Sequence, residues 1–125
     1  MPAPMPQESQ TTPTPAPLQA RELQQRLNEG ADLQLVDVRE PAELAMAALQ
    51  QRVIHLPLSR SSEWVSRIDA LLDREREVVV LCHAGMRSWQ FGCWLMEQQG
   101  FERVWNLEGG IDAWSVQVDR SVPRY

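Results

Sequence analysis

The spacing of apolar positions changes several times along the chain, and each spacing predicts an element. Leu18, Leu23 and Leu27, with polar residues between them, predict an amphipathic helix closed by Gly30. Residues 33–38 alternate and then turn fully apolar, the pattern of a buried strand. Glu40-Pro41 opens a short helix over about 42–49, because proline suits a first helical turn. Residues 53–56 predict a strand that stops at Pro57. Ser61 or Ser62 caps a helix to about Leu72, with Trp64, Val65, Ile68, Leu71 and Leu72 on its apolar face. Glu77-Val78-Val79-Val80-Leu81 is a β-branched run of the central-strand kind and leads directly into Cys82. A helix over about 88–99 closes at Gly100. A strand over 103–107 breaks at Gly109-Gly110, and a last short helix covers 111–116.

Strands and helices therefore alternate. That order predicts an α/β fold of three layers, a mainly parallel sheet with helices on both faces. In such folds ligands bind beyond the C-terminal ends of the strands. Cys82 falls at such an end. Residues 1–17 break the pattern: six prolines stand among Gln, Ser and Thr, which cannot bury enough apolar area to offset ordering entropy. A disordered tail over 1–17 and one domain over 18–125 are expected.

Composition narrows the function. The chain has 125 residues, 43% of them hydrophobic, enough for a core without disulfide staples. Its formal net charge of -5 disfavours nucleic acid, which needs a basic face, and anionic membrane surfaces. No apolar run reaches the ~20 residues of a membrane span, and no leader pattern is read at the N-terminus. Only two cysteines occur, Cys82 and Cys93, so a reducing cytoplasm and a free thiol are expected. There is no lysine. Any permanent cation in a site must be arginine, which binds an oxyanion through two parallel hydrogen bonds.

The segment Cys82-His83-Ala84-Gly85-Met86-Arg87-Ser88 carries the chemistry. A tight loop between a buried strand and a helix turns backbone N–H groups inward, and the helix N-terminus adds to their attraction for an anion. A thiol at the start of such a nest is favoured as its thiolate and becomes a nucleophile. Gly85 allows a crowded or left-handed backbone. Arg87 places a charge at the rim.

These residues resemble the active-site loop of rhodanese-like domains. Asp37-Val38-Arg39-Glu40-Pro41 with Glu43 resembles the family's Asp-Val-Arg segment, and Leu56-Pro57-Leu58 the proline after its next strand. Gly100-Phe101, Val104 and Leu107-Glu108-Gly109-Gly110-Ile111-Asp112-Ala113-Trp114 resemble its C-terminal signature. The resemblance implies a sulfurtransferase that moves sulfane sulfur from a donor such as thiosulfate to cyanide or a thiol, through a persulfide on Cys82. It implies His83, Ala84, Gly85, Met86 and Arg87 as the substrate cradle, with Asp37, Arg39 and Ser88 behind it. It requires no cofactor and no metal. Where the family usually has Gly-His-Ile-x-Gly-Ala, this chain has Met46-Ala47-Ala48-Leu49-Gln50-Gln51-Arg52. His83 replaces an often basic residue, which shifts preference away from thiosulfate.

Two other functions fit the resemblance. In one the chain is a persulfide carrier, served by a cysteine desulfurase or a sulfur-carrier protein. Residues 111–114 and 121–125 resemble the ends of rhodanese domains fused to ubiquitin-activating-like enzymes. The other is a phosphatase or arsenate reductase of the same fold, whose loop has five residues between Cys and Arg. Here there are four, and the shorter ring suits one sulfur better than a tetrahedral phosphate.

The remaining candidates have structural readings. His83 lines the rim more readily than it serves as a base. Asp37 and Arg39 suit an ion pair at a strand end, and His55 a structural role. Cys93 packs in its helix beside Trp89, Phe91, Trp94 and Leu95, with a resolving thiol as the alternative.

Overall fold

The computed structural model describes residues 12–125. Five strands form one sheet: β1 (Ala16–Leu18), β2 (Leu33–Asp37), β3 (Ile54–His55), β4 (Glu77–Leu81) and β5 (Val104–Leu107). Their order is β1-β5-β4-β2-β3, and every pairing is parallel. The central strand β4 is β-branched because both its faces are covered, and Val78, Val79, Val80 and Leu81 have no exposed surface.

Alternate residues feed two cores. Val36, Val78 and Val80 face Trp64, Ile68, Phe91 and Leu95 on one side. Leu35, Val79, Leu81 and Leu107 face Leu23, Ile111 and Trp114 on the other. The helices that carry these groups are α1 (Ala20–Asn28), α3 (Ser61–Trp64), α4 (Ile68–Leu71), α5 (Met86–Gln99) and α6 (Gly110–Gln117), while α2 (Pro41–Met46) buries no residue. The three-layer α/β arrangement expected from the alternation is present.

Several boundaries differ. Most of the expected tail lies outside the described residues. Its last two residues, Ala16 and Pro17, join β1, which pairs with β5 at a sheet edge, where proline is tolerated. Residues 61–72 do not form one helix. α3 and α4 are separated by a 3-10 turn at Val65–Arg67, and no serine side chain caps α3. Only Trp64, Ile68 and Leu72 are buried there, a narrow stripe that short turns serve as well as a helix, and Val65 faces solvent. Helix α2 stops at Met46, where Ala47 turns extended. Helix α5 starts at Met86 because Gly85, at φ 110°, makes the turn that begins it.

The topology sets the site. From β2 the chain moves outward to β3, and from β4 outward to β5, so the order reverses between β2 and β4. Asp37 pairs in register with Leu81. The loops after both strands therefore open side by side at the C-terminal edge, where such sheets bind ligands.

Candidate active site

Cys82 follows β4, and only 1% of its surface is exposed. The loop is shorter than the sequence suggests: Cys82, His83, Ala84 and Gly85 precede α5, while Met86, Arg87 and Ser88 occupy its first turn. Two donors stand around the thiol. The Gly85 N–H lies 3.1 Å from Sγ, and the Ser88 Oγ lies 3.3 Å away. The first N–H groups of a 14-residue helix open toward the same place and favour negative charge there.

A strut from β5 fixes both donors. Asn106 Nδ2 donates to the Gly85 carbonyl at 3.1 Å, which orients the amide. Its Oδ1 then faces the Ser88 hydroxyl at 2.6 Å. With its proton on Asn106, the Ser88 oxygen accepts from the thiol. Turning that proton to sulfur makes it a donor to a thiolate. Asn106 was missed in the sequence, although a polar residue inside the apolar run 104–107 was its signal.

The loop is also clamped from α6. Ile111 N–H donates to the Cys82 carbonyl at 2.9 Å and Asp112 N–H to that of His83 at 3.1 Å. Gly110 makes this possible. It sits at φ 62°, and a Cβ there would collide with both carbonyls.

Around the mouth lies a chain of charged groups. Arg39 has no exposed surface and binds Asp37 through Nε at 3.0 Å and Nη2 at 2.8 Å. Burial works against its charge, but the bonds to Asp37 and Tyr125 hold its pKa above the ordinary guanidinium value. Its Nη1 donates to Tyr125 Oη at 2.9 Å, and that hydroxyl donates to Glu43 Oε2 at 2.9 Å. Glu43 in turn receives both terminal nitrogens of Arg87, at 2.7 and 2.9 Å. The Arg87 guanidinium holds the Glu43 carboxyl down at about 2, against the opposing effect of burial. The Tyr125 ring stacks on His83 with centroids 4.2 Å apart.

The predicted residues are therefore together, but their parts differ. Arg87 does not point its fork into the loop; Glu43 has taken it, because a bidentate carboxylate stands within reach on α2. Asp37 and Arg39 form the expected structural pair. His83 lines the rim against Tyr125, and His55 Nε2 bonds the Arg39 carbonyl at 2.7 Å. Cys93 is half-buried, and Trp89, expected inside, is 41% exposed. Burial and nearby Glu97 push the Cys93 thiol pKa up. Tyr125 lies in the segment 121–125 whose resemblance to other rhodanese-domain ends was its one signal; the spacing there has no regular pattern that points to the site. Among the described residues, no group of three His, Cys, Asp or Glu side chains is placed to hold a metal. Nor is any helix there long and apolar enough to cross a membrane.

The family described as rhodanese-like domain matches residues 19–117. The chain belongs to the rhodanese-like family. It is 41% identical over 101 residues to a sulfurtransferase of Allochromatium vinosum, covering 78% of this chain and 86% of that protein. It is 36% identical over 106 residues to the thiosulfate sulfurtransferase GlpE of Actinobacillus pleuropneumoniae, covering 85% and 89%. It is 39% identical over 111 residues to the rhodanese-like/PpiC domain-containing protein 12 of Arabidopsis thaliana, covering 86% of this chain but only 36% of that longer protein. The crystal structure of a rhodanese-related protein from Thermoplasma volcanium superposes with a TM-score of 0.64 at 25% identity, covering 82% and 93%. These likenesses support sulfur transfer as the general role of this rhodanese-like domain.

Proposed function

We propose that the chain transfers sulfane sulfur through a persulfide on Cys82. The observation that carries this is the placement of Cys82 Sγ at the end of β4, within reach of the Gly85 N–H and the Ser88 hydroxyl at the N-terminus of α5. A thiolate there attacks the outer sulfur of a donor and expels the remainder. The resulting persulfide anion is held by the same donors, which need no rearrangement to receive it. An acceptor thiol or cyanide then takes the outer sulfur and returns the thiolate. His83, Ala84, Gly85 and Met86 form the wall of this cradle. Arg87 supports it through Glu43, while Asp37, Arg39 and Ser88 fix it from behind.

Mass spectrometry after donor treatment tests the proposal. The Cys82 peptide should gain the mass of one sulfur and the Cys93 peptide should not. Cys82→Ser should keep the fold and lose transfer to cyanide. Transfer at wild-type rate in that variant would refute the assignment.

A sulfur-relay role, with a cysteine desulfurase or sulfur-carrier protein as partner, is the second reading. It is favoured by the near-complete burial of Cys82, whose neighbour His83 is covered by the stacked Tyr125 ring. Rapid loading from a protein donor, combined with slow turnover of small donors, would distinguish it. Phosphate-ester hydrolysis is disfavoured because Glu43 occupies the one arginine of the loop.

A further inference from the structure

The segment after α6 has no regular pattern, yet it is tied down at successive points. Val122 is buried in the core, and its carbonyl accepts from the Ser115 hydroxyl. Arg124 binds Asp112 through Nε at 2.8 Å and Nη2 at 3.2 Å. Tyr125 sets its hydroxyl between two charged groups, accepting from Arg39 Nη1 at 2.9 Å and donating to Glu43 Oε2 at 2.9 Å. Burial raises the pKa of that hydroxyl above the ordinary phenol value, against the Arg39 hydrogen bond, so it keeps the proton it donates. An irregular segment frays unless such bonds hold it.

These ties deliver a flat ring to the mouth. The Tyr125 ring lies 4.2 Å from the His83 ring, centroid to centroid, with 16° between their planes. The Arg39 guanidinium stands 5.7 Å from the same Tyr125 centroid. His83 follows Cys82 directly. Its backbone is clamped, since the Asp112 N–H reaches its carbonyl at 3.1 Å. Its side chain still has staggered settings to choose among, and the stack on Tyr125 selects one. Asp112 joins the two clamps: its N–H holds the His83 backbone, and its carboxylate holds the residue before Tyr125.

We infer that Tyr125 is a positioning residue for sulfur transfer and acts through His83, which rests on the reading of Cys82 as the persulfide site with His83 in the wall of its cradle. The ring does the positioning, and the hydroxyl holds the ring in place. With the stack formed, His83 presents one fixed edge to an incoming donor. Without it the imidazole turns among its rotamers, and a donor must order it on binding. That cost falls on affinity rather than on the chemical step.

Single-turnover loading of Cys82 from thiosulfate, followed by mass spectrometry, yields a half-saturating concentration and a limiting rate. Tyr125→Leu should raise the first about five- to ten-fold, the scale of one stacked aromatic pair, and leave the second within about two-fold. Tyr125→Phe keeps the ring and should restore wild-type half-saturation, although it unfolds at lower urea. In a His83→Ala background, Tyr125→Leu should change half-saturation by less than about two-fold, because the group it positions is gone. A merely structural role predicts equal effects in both backgrounds, and equal losses in Tyr125→Phe and Tyr125→Leu. Either result would overturn the inference. Where Tyr125→Leu does not fold, Tyr125→Ile, also without a flat face, takes its place. If thiosulfate leaves Cys82 unloaded, that counts against the persulfide reading alone. The same comparison is then made on alkylation of Cys82 by iodoacetate, where a coupling of about five-fold between Tyr125 and His83 supports the positioning role and additivity overturns it.

Discussion

Asn106→Ala is the perturbation that isolates the strut behind the thiol. The side chain makes two buried hydrogen bonds, to the Gly85 carbonyl at 3.1 Å and with the Ser88 hydroxyl at 2.6 Å. Gly85 O keeps a second partner, the Trp89 N–H at 3.2 Å, so it is not orphaned. Ser88 Oγ is left with sulfur alone. Two net hydrogen bonds at about 1 kcal/mol each, with a small cavity added, give a loss of roughly 2–3 kcal/mol. For a domain of this size that lowers Tm by roughly 6–12 °C, within the usual reserve of about 5–15 kcal/mol. The folded variant should load sulfur on Cys82 at least about ten-fold more slowly, because the Gly85 N–H and the Ser88 hydroxyl are no longer fixed. Urea unfolding gives the first number and single-turnover mass spectrometry the second. Leu23→Ala, in the core beneath α1, is the control: it should cost about 2–5 kcal/mol and leave the loading rate of the folded protein unchanged. Wild-type loading by folded Asn106→Ala would refute the view that β5 positions the donors.

Other outcomes follow from the same contacts. Gly110→Ala should destabilise by more than about 3 kcal/mol or prevent folding, since its left-handed backbone is strained for alanine and the Cβ meets the Cys82 and His83 carbonyls; thermal unfolding measures it. The Glu43 carboxyl lies at about 2 when folded, below its ordinary 4.5, so its stabilisation is complete above about 4.5 and is lost as pH falls through about 2. An acid titration of stability should accordingly be flatter across that window in Glu43→Gln than in the wild type. Tyr125→Phe keeps the stack on His83 but removes the hydroxyl between Arg39 and Glu43, and should lower stability by about 1–2 kcal/mol in urea. The Cys93 thiol, raised by burial and Glu97, should react with iodoacetamide more slowly at pH 7.5 than a free cysteine does.

Much of this arrangement was legible in local pattern. The β-branched run 77–81 ending in Cys82 located both the central strand and the thiol, because a doubly covered strand and a strand-end ligand site each leave a sequence mark. The Gly109-Gly110 pair marked a break, although its clamp on the loop required the fold. What the sequence did not disclose was pairing at a distance. Glu43 and Arg87 are 44 residues apart, and Tyr125 lies 86 beyond Arg39. Nothing in the spacing of Arg87 says that its fork is already occupied. The same limit explains residues 61–72, where a good helical stripe was realised as short turns because only three of its residues meet the core.

The two sides of the loop thus do different work. On one side neutral donors, Gly85 N–H and Ser88 Oγ, are set by Asn106 on a strand whose own place is fixed by β4. On the other side charge is cancelled pair by pair, from Asp37 and Arg39 through Tyr125 to Glu43 and Arg87. The Arg87 guanidinium, although its fork is given to Glu43, stands near enough to act on Cys82 by charge, so neutral donors and a paired cation bear on the same sulfur. Asn106, which touches both Gly85 and Ser88, is then the residue on which the placement of the two donors depends, while Glu43 and Arg87 close the charged side as a pair.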